Sequence, residues 1–506
     1  VAGGRIALIG DLSDREALER IPAEGLALCP GFIDVHSHSD ELWLADRRSL
    51  GKIAQGVTTE IAGNCGSSAG PLFGEAFEKK RRNARRYRLD VEWRTLDEFF
   101  TLVERSGVAL NVASLVGLGT TRACVSGNAE RRLERGELAM QRRLVREAVE
   151  HGAIGVSSGL VYEPSRYADE GELVACAREA SEAGAARYVS HVRDEGDGVL
   201  GAVAEALRIG ELAEVAVQCS HHKAAGRRNW GKVHQTLEMI AAARARGLDA
   251  GVDVYPYVAS WTELATILPA AIRSGGEAAT LARLREPESA ASVALALTLA
   301  RDPSTGGDGW HDILLTDTGS ERNAAYAGYR IDELAAHWHL SPARTVIRLL
   351  VEEELAVQCA FFSMSEDDVA TVMSAEFCSI GSDASARAFS GITVAGVPHP
   401  RTYGCFPRVF GRFVRGRRTL AIEEAIRRMT SLPATQFDLA ERGTIAVGNW
   451  ADLVVFDAEQ IRDRATYEQP CVPPEGIRHV FVNGRAVMRE SAYTGALPGR
   501  VLRGGR

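Results

Sequence analysis

From residue 30 to about 270 the chain alternates short apolar runs with longer amphipathic ones. The short runs are FIDVHSH (32–38), VTTEIAG (57–63), LNVASLVG (110–117), IGVSSG (154–159), ARYVSHV (186–192), EVAVQCSH (214–221) and LDAGVDVYPY (248–257). They are rich in Val, Ile and Thr and bounded by Gly or polar residues, which predicts strands. Between them, 138–151, 171–184 and 198–213 carry apolar residues at helical spacing. Strands alternating with helices predict a parallel sheet, either doubly wound or closed into a barrel. A further strand is expected at 377–383, FCSIGSD. No GxGxxG follows the first strand, which argues against a dinucleotide-binding sheet. Polar residues cluster instead at the C-terminal ends of many strands, where a (β/α)8 barrel builds its site. The fold class is therefore α/β, a TIM-like (β/α)8 barrel.

Two segments break the rhythm. Residues 273–375 read as a helix-rich insertion over the barrel mouth, with runs such as EAATLARLREPESAASVALALTLA. From 443 the pattern becomes that of a small β unit, GTIAVGNWADLVVFD and then HVFVNGRAVM, with an Asn-Gly hairpin turn at 483–484. The opening GGRIALIGDL resembles its missing half. The expected division is 1–29 and 443–506 as two parts of one small β domain, with 30–442 as the barrel.

Composition narrows the function. Lys and Arg total 59 against 67 Asp and Glu, a net charge of −8, which argues against nucleic acid as a partner. No apolar run is long enough to span a membrane, and VAGGRIALIGDLS lacks the pattern of a signal peptide. The 9 cysteines are scattered without CxxC pairs, as expected of reduced thiols. The expectation is a cytoplasmic protein acting on a small molecule. Nothing in the sequence addresses oligomeric state.

The candidate chemistry lies at the strand ends. His36 and His38, at i and i+2 of the first strand, would aim at one point. Cys65 follows the second strand in AGNCGSS, His191 ends YVSHV, His221 stands beside His222 in CSHHK, and Asp383 follows a strand in IGSDA. Singly, each has an ordinary reading as a core thiol, a capping histidine or a turn aspartate. His151, His234, His311, His337 and His339 keep that ordinary reading. Six coincidences at one end of one barrel point instead to a metal site. Imidazole, thiolate and carboxylate form a set suited to zinc, and an Asp beside it can carry a proton to a leaving nitrogen. The implied chemistry is metal-assisted hydrolysis of a C–N bond.

On PGFIDVHSHSD (30–40), EIAGNCGSSAGPL (60–72), SSGLVYEP (157–164), YVSHVRDEGDGVL (188–200) and QCSHHKAAG (218–226), the chain resembles the amidohydrolase superfamily. Within it, the resemblance is to the N-acyl-D-amino-acid deacylases (D-aminoacylases), and it extends through DVYPYVAS (253–260), IGSDA (380–384), HPRTYGCFPRV (399–409), RRMTSLPA (427–434) and ADLVVFD (451–457). GNCG is the most specific of these motifs, because many relatives bridge two metals with a carboxylated lysine where these deacylases use a cysteine. The resemblance implies a zinc enzyme hydrolysing the amide of N-acyl-D-amino acids. It places one tight zinc on Cys65, His191 and His221, and a second, weak or empty site on His36, His38 and Asp383. Asp383 is also the implied general base and acid. Lys223, Arg401 and a tyrosine of the YPY stretch, Tyr255 or Tyr257, are implied to grip the substrate's α-carboxylate, and Ser260 is a candidate donor to the acyl carbonyl.

After YPY the chain reads VASWTELATILPA, with Trp261, Leu264, Ile267 and Leu268 and no Lys or Arg, so a pocket for hydrophobic D-side chains is expected. Two departures stand out: Leu118 occupies a place where the family carries a histidine, and the initial strands of the small domain are short. A D-dipeptidase or another amidohydrolase is the rival reading among enzymes. A catalytically silent scaffold is the rival outside them, disfavoured because all six ligand positions are filled.

Overall fold

The computed structural model describes residues 1–301 and 307–504; positions 302–306 of the expected insertion and 505–506 of the C-terminal segment lie outside the described residues. Strand β1 (Ala27–Pro30) leads directly into β2 (Phe32–Asp34), and β3 (Val57–Ala62), β4 (Asn111–Gly117), β5 (Gly155–Gly159), β6 (Arg187–His191), β7 (Ala216–Cys219) and β8 (Ala250–Val254) follow. Then come β9 (Ser260–Glu263), β10 (Ile313–Asp317), β11 (Gln358–Phe361), β12 (Cys378–Ile380), β13 (Leu453–Phe456), β14 (Ile477–Val482) and β15 (Arg485–Arg489). Strands β2 to β8 and β12 form one parallel eight-stranded sheet in the order β12-β8-β7-β6-β5-β4-β3-β2, the (β/α)8 barrel. Each ladder joins sequence neighbours except that β8 pairs with β12, so the chain between them is an excursion from the barrel.

The barrel strands read as nearly continuous buried runs, as parallel strands covered on both faces must. Ile33, Ile61, Ala113, Leu115 and Val189 fill the interior with Phe437 and Leu439. The outer helices are amphipathic. Leu96–Ser106, for example, buries Leu96, Phe99, Phe100 and Val103 at helical spacing and starts from a reciprocal Thr95–Glu98 cap, a device whose loss costs about 1 kcal/mol.

Three expectations need correction. The first strand ends at Asp34, so His36 and His38 stand on irregular backbone beyond it rather than on one strand face. GGRIALIGDL supplies no strand: Ala2 and Arg5 make isolated bridges and Ile6 packs on Ala451 and Leu453. The strand that pairs with β13 comes from 27–30. The segment 273–375, read as helix-rich, also carries β10 and β11, which pair with β9, just before it, in a separate antiparallel sheet. Helices of the insertion pack on that sheet through Leu284, Val293, Leu297, Leu334 and Val346. The expected hairpin is present: Asn483 (φ 48°) and Gly484 (φ 76°) join β14 to β15 in left-handed conformations that favour Asn-Gly. No helix among the described residues is long and apolar enough to cross a membrane, and all nine cysteines are free.

Candidate active site

All six groups singled out from the sequence converge at the C-terminal end of the barrel. One ligand atom each from His36, His38, Cys65 and Asp383 lies within 4.8 Å of the others, and the same holds for Cys65, His191 and His221. Cys65 belongs to both groups. Its Sγ is 3.4 Å from His36 Nε2 and 3.5 Å from His221 Nε2, while Asp383 Oδ1 is 3.0 Å from His38 Nε2 and 3.5 Å from His36 Nε2.

The backbone aims these side chains at some cost. Cys65 (φ 51°), His221 (φ 34°) and Asp383 (φ 49°) are non-glycine residues with positive φ, a conformation that persists only where the surroundings enforce it. After Cys65 the loop turns at Gly66 (φ +75°), where a Cβ would come within 2.8 Å of the Gly159 amide nitrogen. This is the physical reason for glycine after the cysteine in GNCG.

The outer partners were not legible as such in the sequence. Asp253 Oδ1 accepts from His36 Nδ1 at 3.2 Å and from the His221 backbone N–H at 2.8 Å, tying the two groups together. With Nδ1 of His36 so engaged, Nε2 faces Cys65. Glu195 Oε1 lies 3.0 Å from His221 Nδ1 and 2.5 Å from Lys223 Nζ, and its Oε2 is 3.8 Å from His191 Nε2. Carboxylates behind imidazoles fix the tautomer that leaves the other nitrogen free for a metal. The signal for both was present, an Asp at a strand end and a Glu four residues after His191, but only His and Cys draw the eye in a search for ligands.

Charges reinforce one another here. Burial works to raise the Cys65 thiol, yet the His36 and His221 imidazoles hold it well below the ordinary thiol range. Burial likewise opposes ionisation of Asp383, but Arg401, His221 and His38 keep it well below the usual carboxylate range. Against burial, the Asp383 and Cys65 contacts raise His38 to about 9. A thiolate-imidazole-carboxylate set of this kind fits zinc and releases protons on binding it.

Other expected residues divide. Tyr255 lies beneath the Arg401 guanidinium, 4.5 Å from ring centroid to carbon, with Lys223 Nζ at 5.8 Å. Tyr257 points away: a bond from its N–H to Tyr255 O at 2.9 Å turns the chain, and its hydroxyl approaches Pro400 O. Its assignment to the substrate group is therefore corrected. The strand ends at Val254 and the turn cancels the alternation that would have placed both tyrosines together. Arg401 is buried, with Nη2 2.8 Å from Asp383 Oδ2 and its Nε and Nη1 without a partner among the described residues. His399, missed in the sequence, accepts from the Arg401 backbone N–H at 3.0 Å and fixes the start of that helix. His222 turns away to Thr236 Oγ1 at 2.7 Å, and burial with the nearby Lys223 lowers it to about 4.

A cavity of about 580 Å³ opens beside His191 and Glu195 and is also lined by Tyr162, Ser260, Ile267 and Arg273. Its lining is more polar than 258–270 suggested. Of the four apolar residues expected there, Ile267 borders the cavity, Leu264 and Leu268 are buried in the insertion's core, and the Trp261 indole N–H donates to Thr316. Leu118 is buried in the main core.

Comparison with known proteins agrees with this geometry. A model of the amidohydrolase family matches residues 19–488. An N-acyl-D-glutamate deacylase of Alcaligenes xylosoxydans xylosoxydans is 35% identical over 99% of this chain and 92% of its own. The crystal structure of N-acyl-D-glutamate deacylase from Bordetella bronchiseptica, complexed with zinc and a phosphonate mimic of the tetrahedral intermediate, superposes with a TM-score of 0.83. It is 33% identical and covers 99% of this chain and 94% of that one. A D-aminoacylase structure with a binuclear metal centre, described as activated by one metal and attenuated by a second, gives a TM-score of 0.82. It is also 33% identical, with the same coverage of both chains.

Proposed function

The chain belongs to the amidohydrolase family, and from that premise we propose that it hydrolyses the amide bond of N-acyl-D-amino acids to a carboxylate and a free D-amino acid, with zinc as cofactor. The observation that carries this reading is the pair of ligand groups sharing Cys65 beside a cavity large enough for a small acylated amino acid. In this reading Cys65, His191 and His221 hold the tightly bound metal, and His36, His38 and Asp383 form the second, weaker site. When bound, zinc supplies Lewis acidity toward the amide carbonyl and the attacking water.

The chain's own residues do the rest. Asp383, ionised and held between His38 and Arg401, takes a proton from the attacking water and returns it to the leaving nitrogen. Against burial, Arg401, His221 and His38 hold its carboxyl well below the usual carboxylate range. A substrate α-carboxylate arriving at Arg401 meets its Nε and Nη1, which have no partner among the described residues. Lys223, beside Tyr255, is the second cation for that carboxylate, which then competes with Glu195 for its ammonium. Ser260, on the cavity wall, is the candidate donor to the acyl carbonyl. The division of the chain into a barrel (30–442, with an insertion of about 273–375) and a small β domain from 1–29 and 443–506 belongs to the proposal, as do a cytoplasmic location and the absence of a nucleic-acid partner.

For the side chain of the substrate, the hydrophobic preference expected from 258–270 has a rival. Arg273 lines the cavity, and its Nε is buried without a partner among the described residues, which favours an acidic side chain. The test is amine release from paired N-acetyl-D- and N-acetyl-L-amino acids, spanning Leu, Phe, Asp and Glu, alongside D-dipeptides. Release from the D-series is expected; cleavage of L-substrates alone would overturn the proposal, and a preference for D-dipeptides would move it to a dipeptidase. If the acidic reading holds, Arg273→Leu lowers kcat/KM for the D-Glu substrate by about 10- to 100-fold relative to D-Leu, the worth of one charged hydrogen bond.

A further inference from the structure

The barrel's ladder joins β2 through β8 to β12 but does not pair β12 with β2. Across that seam the backbone makes one isolated bridge, Ser37 to Ala384, and a bond from Asp383 N–H to His36 O at 2.8 Å. The residues expected to form the second metal site stand on its two sides, His36 and His38 on one and Asp383 on the other. Something other than the ladder must set their separation.

Lys52 occupies the place where such a part would sit. Its side chain is wholly buried, and Nζ reaches Asp34 Oδ2 at 2.6 Å, Ser382 Oγ at 2.7 Å, Ala384 O at 3.0 Å and Glu60 Oε1 at 3.1 Å. Each partner adjoins a site residue. Asp34 precedes His36 by two positions, and its Oδ1 accepts the Ser382 backbone N–H at 2.8 Å. Ser382 and Ala384 flank Asp383. Glu60 accepts from Ser37 Oγ at 2.7 Å and Ser39 Oγ at 2.8 Å, the two residues flanking His38, and from the Trp43 indole at 3.0 Å.

Stability is a poor reason for such a cluster. Two carboxylates and one ammonium, all without solvent exposure, cost desolvation that apolar residues of similar volume would not. Nor does the cluster border the cavity, so substrate does not touch it. What it supplies, beside hydrogen bonds such as Ser385 Oγ to His38 O at 2.8 Å and Ala386 N–H to Ser39 Oγ at 2.7 Å, is a charged bridge at the seam, where Asp383 sits in a left-handed conformation that its neighbours must enforce. A flexible lysine stem with three donors can bridge both sides at once.

We propose that Lys52 is a positioning residue: by bridging Asp34 and Glu60 to the Ser382–Ala384 loop, it closes the barrel seam and sets Asp383 against His36 and His38. The role rests on the reading of those three as the second metal site. Two variants of the full chain test it. Ser382→Ala removes one link to the loop and leaves Lys52 paired with both carboxylates, so it folds even if Lys52→Met does not. Crystal structures and calorimetric zinc titration of the metal-free proteins give the readout. Asp383 Oδ1 is expected to move away from His38 Nε2. Binding of the second zinc is expected to weaken by about tenfold or more, the usual effect of losing a supporting contact, with the first, at Cys65, His191 and His221, unchanged. A lowered Tm with Asp383 in place and both zinc affinities intact would overturn the proposal. Because neither readout involves turnover, the result stands apart from failure of the deacylase reading, which the D- and L-substrate assay detects.

Discussion

The two halves of the site are built in different ways. Cys65, His191 and His221 follow β3, β6 and β7, strands inside a continuous ladder in which β6 and β7 are direct neighbours. Their outer support is Glu195, on the cavity wall, paired with the buried Lys223. His36, His38 and Asp383 face each other across the one junction the ladder leaves open, and their support is the buried charge cluster around Lys52. Asp253 touches both halves. A metal held by the first half inherits the rigidity of a sheet. One held by the second would depend on a few side chains, a physical reason for the two proposed sites to differ in strength.

Substitutions separate the halves. The largest effect is expected from Asp383→Asn, which keeps the shape but removes the proton carrier. Turnover should fall by about 10²- to 10⁴-fold while elemental analysis still finds zinc on Cys65, His191 and His221; a near-normal rate would remove Asp383 from the proton-transfer role. Glu195→Gln acts on the other half. Losing the charged partner of His221 Nδ1 should weaken the first zinc by about 10- to 100-fold, measured by competition with a chelator, and unchanged affinity would make Glu195 a partner of Lys223 alone. His38→Ala should have the smallest effect on turnover, since it leaves Cys65, His191 and His221 untouched and His38 is the most exposed member of its own group, at 34% of the side chain. It should abolish binding of the second zinc and leave the first as it was. Loss of both metals would mean that the halves are one site.

Much of this was readable in the sequence, and the misses have physical causes. The barrel strands and the convergence of the candidate ligands were legible because several strands are short apolar runs leading into a chemically distinctive residue, as in VTTEIAGNC and YVSH. Glu195, Asp253 and Lys52 were not, because their significance lies in contacts between residues apart in sequence, Lys52 with Ala384 being the extreme. Tyr255 and Tyr257 were indistinguishable on alternation alone, since a single turn decides which one faces Arg401. The three-stranded antiparallel sheet was hidden for a related reason. Its strands β9, β10 and β11 are four or five residues long and separated by helices, so no local pattern announces their pairing. At the N-terminus, GGRIALIGDL has the apolar character of a strand but makes only isolated bridges, while 27–30, shorter and ending in proline, pairs with β13 along its length.

The most direct measurement is reconstitution. The protein is stripped of metal, zinc is returned in measured equivalents, and amine release from N-acetyl-D- and N-acetyl-L-amino acids is followed at each step. The expected result is that D-selective hydrolysis returns with the first equivalent, bound where Cys65, His191 and His221 meet. Absence of hydrolysis through two equivalents, or activity confined to the L-substrates, would contradict it.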